Sequence, residues 1–276
     1  MITATLLALA AAVLHAAWNL RVKRSVGDRF LALWGQFLFG GACCAVVLVI
    51  TGLPGWSAGR FLVASAVLHL LYALSLARAY DLGDFSLAYP VARGGGAVGA
   101  AIGGWALLDD DLRGWSWAAI ALVVVGLLTF TPRRASWVPI GGAAVVAVTI
   151  AGYSVVDAAG ARHSAGVSYS MATFIGAATT MSLWGVARGR VGAMRREWSV
   201  SWRSFAWAGP ASALAYSLVL AAVRLAPVGY VTVLRESSVL FGAVAGATLL
   251  NEPLGKARVR SATIVLAGLL LLVISR

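Results

Sequence analysis

The chain has 276 residues, 61% of them hydrophobic and 12% charged, with a mean hydropathy of +0.87 and a formal net charge of +12. A soluble domain of this length carries about twice that charged fraction and sets its apolar residues in amphipathic stripes rather than long runs, so a soluble fold is excluded. The 22 basic residues lie mostly between the apolar runs and form no basic face interleaved with aromatics, which excludes a nucleic-acid-binding domain and leaves the lipid bilayer as the partner.

Each apolar run is about as long as a helix needs to cross roughly 30 Å of hydrocarbon, where the backbone must satisfy itself. Spans are read at 2–20, 30–51, 61–80, 85–108, 115–131, 137–159, 167–187, 204–224, 228–250 and 258–275. The first ends in HAAWN rather than a small-residue cleavage site, so it is a span and not a cleaved leader. His15, Trp18 and Asn19 share one of its faces. The second is nearly featureless apart from Gln36 and the adjacent Cys43 and Cys44, which imply neither a disulfide framework nor a metal site. The third sets Ser65, His69 and Tyr72 on one face, and the fourth carries Tyr89 and Arg93 beside Pro90 and Gly94-Gly95-Gly96. Those glycines either loosen the helix or, through Gly95, Gly99 and Gly103, let a neighbour approach closely.

The fifth span is featureless, and Trp115, Trp117 and Trp137 near span ends read as interfacial anchors. The sixth presents Thr149, Tyr153 and Asp157 at a period of four. The link from 188 to 203 is basic and holds Trp198 and Trp202, as an interfacial segment does. The eighth offers Ser212 and Tyr216, the ninth Arg235, Glu236, Ser237 and Ser238, and the tenth nothing polar of note. Spans 1, 3, 4, 6, 8 and 9 therefore surround a polar interior, while 2, 5 and 10 are expected to face lipid or a second copy of the chain.

The chain repeats itself. At an offset of 142, Arg93 falls on Arg235, Gly104 on Gly246, Asp110 on Glu252, Leu112 on Leu254 and Gly126 on Gly268. Near the starts of the halves an offset of 135 sets Trp18 on Tyr153 and Asn19 on Ser154. Residues 1–132 and 137–276 thus read as two five-helix repeats. An odd number of spans per repeat inserts the halves in opposite directions, the inverted-repeat plan of many secondary transporters, with substrate near the midplane. The fold expected is an all-α integral membrane protein of ten transmembrane helices.

HAAWN (15–19), the stretch Tyr89-Pro90-Val91-Ala92-Arg93-Gly94 and the motif Leu250-Asn251-Glu252-Pro253-Leu254 together resemble the drug/metabolite transporter superfamily, specifically its ten-helix EamA-type members. The resemblance covers essentially the whole chain. The first half departs from the pattern, with Asp109-Asp110-Asp111-Leu112 where Glu is usual. The resemblance implies a central cavity between the halves, export rather than uptake, and both termini in the cytoplasm. The charge count favours the opposite orientation, with 15 basic residues flanking one set of loops and 5 the other, so the two arguments conflict and the orientation stays open.

An Arg well inside a span costs at least about 2.5–3.5 kcal/mol, so Arg93 and Arg235 must face a cavity or a partner. One reading pairs Arg93 with Glu236, or Arg235 with a carboxylate such as Asp157, to hold the halves together; the other has them capture a ligand's carboxylate or phosphate. His15 and His69 either bond neighbouring helices or touch substrate and protons. Trp18, Tyr72, Tyr89, Tyr153 and Tyr216 suit an aromatic or amphiphilic solute.

The expected site is therefore a central cavity of His15, Trp18, Asn19, His69, Tyr72, Tyr89, Arg93, Tyr153, Asp157, Tyr216, Arg235, Glu236 and Ser237. It has no catalytic residues, metal or cofactor. Cationic-drug exporters of the superfamily use a deep acid in the first helix, which is missing here, so a zwitterionic or anionic metabolite, amino-acid-like and including aromatic ones, is expected over a multidrug role. Transport would proceed by alternating access across the cell inner membrane. A flippase for lipid-linked head groups is the alternative, ahead of an intramembrane enzyme, for which no HExxH, no GxSxG elbow and no paired-aspartate signature is expected.

Overall fold

A hydrophobic run in lipid closes its own backbone hydrogen bonds, and the runs of this chain fold as helices. The computed structural model describes residues 1–22, 27–82, 85–112, 114–129, 137–164, 167–238, 240–241 and 256–275, and no strand occurs among them. Ten α-helices stand in order among the described residues: α1 (Ile2–Val22), α2 (Arg29–Thr51), α3 (Gly59–Leu82), α4 (Phe85–Leu107), α5 (Gly114–Leu128), α6 (Trp137–Arg162), α7 (Ser168–Ala187), α8 (Val191–Val223), α9 (Val228–Arg235) and α10 (Lys256–Ile274). Four stretches are long and apolar enough by themselves to cross a bilayer: Arg29–Thr51, Trp56–Ala79, Ile140–Arg162 and Val191–Val223.

Two helices depart from the expected spans. The basic link from 188 to 203 is not a loop but the first part of α8, which runs for 33 residues, about 50 Å at 1.5 Å per residue. Ala193-Met194-Arg195-Arg196-Glu197 are strong helix formers and extend the helix. Gly189, at φ +68, makes the left-handed turn that lets α7 double back into it. The ninth span is broken: α9 stops at Arg235, and the Glu236 N–H donates to the Val233 carbonyl at 3.0 Å in the tighter i→i+3 pattern.

Small residues bring the helices together. On α4, Gly95, Gly99 and Gly103 take Ala147, Ala151 and Val155 of α6; a Cβ at these glycines would fall 2.8, 2.6 and 2.6 Å from those side chains. The glycines thus serve close packing rather than a loosened helix. At the α2–α8 crossing the backbones themselves touch, with a Cβ on Gly209 reaching within 2.6 Å of the Gly40 nitrogen. Where α5 and α10 cross, a Cβ on Gly126 would lie 2.7 Å from Val265 Cγ2, and one on Gly268 would lie 2.7 Å from Val123 Cγ2.

The remaining main contacts pair α1 with α8, α3 with α6, α2 with α7, α3 with α7, α4 with α9 and α1 with α9. α2 turns one apolar face outward, with Val46, Val49 and Ile50 exposed as its plain sequence suggested, and packs its other face inward. It buries Phe30, Trp34, Gln36, Phe37 and Cys44 against α7 and α8, while α5 and α10 bury against each other.

A bulky side chain at such a crossing forces helices apart at a cost of about 1–3 kcal/mol. Gly126→Leu and Gly268→Leu should each lower the detergent melting temperature by several degrees. Gly114→Leu, where nothing lies within 4 Å, should leave it unchanged. Equal melting temperatures for all three variants would refute the close crossing.

Candidate functional site

Two helices running in opposite directions deliver the buried charges. Arg93 lies eight residues into α4, about 12 Å from that helix's start, and Arg235 seven residues into α9, about 10 Å from its own. Asp110, just beyond the C-terminal end of α4, binds the first N–H of α9, so the two starts lie at opposite ends of the bundle. The guanidinium of Arg93 grips Glu236 in a fork: Nε donates to Oε2 at 3.1 Å and a terminal nitrogen lies 2.8 Å from Oε1. Both side chains are under a tenth exposed. Buried charges hold only in such geometry, and removing one partner strands the other. The pairing expectation for Arg93 is met in this structure.

Arg235 is buried beside the pair. It lies within electrostatic reach of His15 on α1, Tyr153 on α6, Tyr216 on α8 and Glu236. The next residues, Ser237 and Ser238, are each 4% exposed, and their hydroxyls find no hydrogen-bond partner among the described residues. An unsatisfied buried hydroxyl is costly, and here two follow a break in α9.

Asp157 does not pair with Arg235. It is fully buried on α6 and spends its oxygens on phenols: Tyr169 of α7 donates to Oδ1 at 3.0 Å and Tyr216 donates to Oδ2. Ser65 of α3 also reaches it. Tyr169 gets there because residue 160 is glycine; a Cβ at Gly160 would sit 2.1 Å from the phenol ring.

Beside Asp157, His69 of α3 bonds through Nδ1 to the Ser65 carbonyl at 3.0 Å. Its ring stacks on Tyr153 with centroids 4.5 Å apart and meets Tyr216 edge-on at 5.7 Å. Tyr72 closes against Tyr153 at 5.6 Å, Phe37 against His69 at 5.8 Å and Phe174 against Tyr216 at 6.1 Å. In this aromatic wall, built from α2, α3, α6, α7 and α8, Tyr153 and Tyr216 lie within electrostatic reach of both Asp157 and Arg235.

The structure thus brings together Arg93, Arg235, Glu236 and Ser237 as one cluster, and His69, Tyr72, Tyr153, Asp157 and Tyr216 as a second adjoining it. His15 is half-buried and faces the first. The side chains of Trp18, Asn19 and Tyr89, and all of Glu252, lie outside the described residues. Sequence reasoning passed over Tyr169, Phe37, Phe174 and Gly160. Only spacing from Asp157 across the α6–α7 turn could have pointed to Tyr169.

Asp110, in the stretch that departs from the family pattern, has a structural role. Asp109 adopts φ +54, and the chain turns so that Asp110 tucks behind Gly104, whose absent side chain would have clashed at 2.6 Å. Its Oδ2 accepts the Val228 N–H at 2.7 Å, capping α9 where the helix dipole favours an anion, and Oδ1 lies 2.8 Å from Arg162. Arg162 in turn donates to the Val223 and Ala226 carbonyls at 2.9 and 3.3 Å. One carboxylate from the first half and one guanidinium from α6 thereby clamp the α8–α9 turn. Nearby, Gly55-Trp56-Ser57-Ala58-Gly59 has the GxSxG spacing but forms an exposed 3-10 turn leading into α3. It has none of the strand a nucleophile elbow requires.

Residues 138–274 match the model of the EamA-like transporter family. No curated protein matches the chain. A solved crystal structure is similar in fold, with a TM-score of 0.78 and 18% sequence identity over 100% of this chain and 98% of its own.

Removing one member of a buried pair costs about 3–5 kcal/mol, whereas replacing both by apolar groups is far milder. Glu236→Leu alone should therefore lower the melting temperature sharply, and Arg93→Met with Glu236→Leu should recover most of the loss. A double variant as unstable as the single one would show that the pair is not the unit that matters.

Proposed function

We propose that this chain, a multi-pass membrane protein whose second half belongs to the EamA-like transporter family, is a secondary exporter of a small zwitterionic or anionic metabolite. The family makes it a membrane transporter of the drug/metabolite type; the solute and mechanism follow from the buried charges. Arg93 and Glu236 cancel one another, which leaves Arg235, beside two hydroxyls in need of partners, as the cation available to an incoming carboxylate. That is the observation on which the reading rests. Arginine presents a planar fork suited to a carboxylate, and Ser237 and Ser238 follow it in the chain. The wall of His69, Tyr72, Tyr153 and Tyr216 suits the apolar part of an amino-acid-like solute. Asp157 offers the opposite charge.

The alternating-access scheme takes residues 1–132 and 137–276 as inverted repeats. In its support, the glycines at the α5–α10 crossing and the valines they meet are related by the same offset of 142: Gly126 meets Val265, and Gly268 meets Val123. The pairings α4 with α6 and α1 with α9, α2 with α8 and α3 with α7, and α1 with α8 and α3 with α6 also interchange when each helix is swapped for the one five positions away. The Asp110–Arg162 clamp holds one end of the bundle closed, and its release would open that end. With no nucleotide-binding motif in the sequence, the driving force is a gradient across the cell inner membrane. A lipid head-group flippase finds less support, because Arg93, which would take the phosphate, is already committed to Glu236.

Losing one charged hydrogen-bonding partner costs about 1.5–3 kcal/mol, or roughly 10- to 100-fold in affinity. In proteoliposomes screened with amino acids and other carboxylated metabolites, Arg235→Ala should raise KM by that factor or abolish flux while membrane insertion stays normal. Arg235→Lys should retain part of the activity. Undiminished flux in Arg235→Ala would remove the anion site. Separately, Asp110→Asn should speed labelling of Ser164→Cys, a buried position next to the clamp, by a membrane-impermeant maleimide. An unchanged labelling rate would mean that the clamp does not gate that end.

A further inference from the structure

The first third of α8 belongs neither to the central clusters nor to the span proper. At about 50 Å the helix exceeds the roughly 30 Å of hydrocarbon by several turns, and the excess at its start carries Arg195 and Arg196 one turn before Trp198 and two before Trp202. Tryptophans mark the headgroup boundary of a bilayer, so these arginines stand at the level of the lipid phosphates. Three other cations near this end have partners. Arg190 pairs with Asp28 and lies over Phe30, Arg188 lies over Trp184, and Arg203 lies over Trp202. Arg195 and Arg196 are exposed and meet no carboxylate among the described residues.

Arg195 itself lines an open hollow of about 310 Å³ between α2, α7 and α8, together with Trp34, Leu38, Val186, Met194 and Trp198. Its walls are stiff. Trp198 stacks on Phe39 with centroids 6.1 Å apart and meets Trp34 edge-on at 6.3 Å. The Trp34 indole N–H is already satisfied by Ser182 at 2.9 Å. A hollow walled almost entirely by apolar side chains, with its polar group spoken for, takes an apolar occupant. The cationic rim asks that occupant to be an anion at one end.

We infer that the hollow between α2, α7 and α8 is a binding site for an anionic phospholipid, with an acyl chain against Trp34, Leu38 and Trp198 and the phosphate on Arg195 and Arg196. Guanidinium groups suit a phosphate, and basic residues at the surface favour lipids of net negative charge over zwitterionic ones. The site is independent of the transported solute, since none of its residues contributes to the central clusters.

The test uses the whole protein in phosphatidylcholine bilayers doped with either phosphatidylglycerol or phosphatidylcholine carrying brominated acyl chains. The Trp198 signal is taken as the difference between the protein and its Trp198→Phe variant. Brominated phosphatidylglycerol should quench that signal with about fivefold higher apparent affinity than the brominated choline lipid, as expected where basic residues meet an anionic lipid. The preference should vanish in Arg195→Gln/Arg196→Gln, which should melt at the same temperature as the parent in detergent. Equal quenching by both lipids, or a preference that survives the double substitution, would overturn the assignment. So would a Trp198 signal immune to both lipids together with a cross-linked dimer, because a second copy would then fill the hollow.

Discussion

The fork between Arg93 and Glu236 is the contact on which the interior depends. Each group alone would be a bare charge far from water, and each is tolerable only because the other lies 2.8 Å away. The bond joins α4 of the first half to the residue at which α9 breaks, so it fixes the facing of both helices at once. It also decides the electrostatics of the centre. Arg93 is neutralised by Glu236, whereas Arg235, its counterpart at the offset of 142, makes no such carboxylate pair among the described residues.

Close approach of backbones makes that bond geometrically accessible. Glycines on α4 admit α6, Gly40 and Gly209 let α2 and α8 touch, and Gly126 and Gly268 exchange places at the α5–α10 crossing. In lipid, packing of small residues replaces the hydrophobic drive that joins helices in water. The same economy of side chain lets Tyr169 pass Gly160 and reach Asp157, and lets Asp110 fold behind Gly104. At these positions glycine serves close approach, of helices to one another and of polar side chains to their partners.

The ends of the bundle are held differently. At one end Asp110 and Arg162 bind backbone groups of the α8–α9 turn, a contact between halves that can be made or broken as a unit. At the other, Asp28 caps α2 with its Oδ1 accepting the Leu31 N–H at 3.1 Å and also pairs with Arg190 ahead of α8. There the long, basic start of α8 projects past the hydrocarbon.

The chain by itself determined that it is a helical membrane protein, where most helices lie, and which faces turn inward, because span length and helical period are local properties of a sequence in lipid. It also carried the family, through short motifs in the right order, and the pairing of Arg93 with Glu236 was one of two readings open to it. Tertiary structure alone decided the rest. That Asp157 bonds Tyr169 and Tyr216 rather than Arg235, that one face of α2 packs on α7 and α8, that α9 breaks at Glu236 and that Asp110 caps a helix of the other half all depend on how helices rotate and cross. Those angles are set by packing between helices distant in the chain, as where Asp110 meets Val228, 118 positions on, which no local pattern encodes.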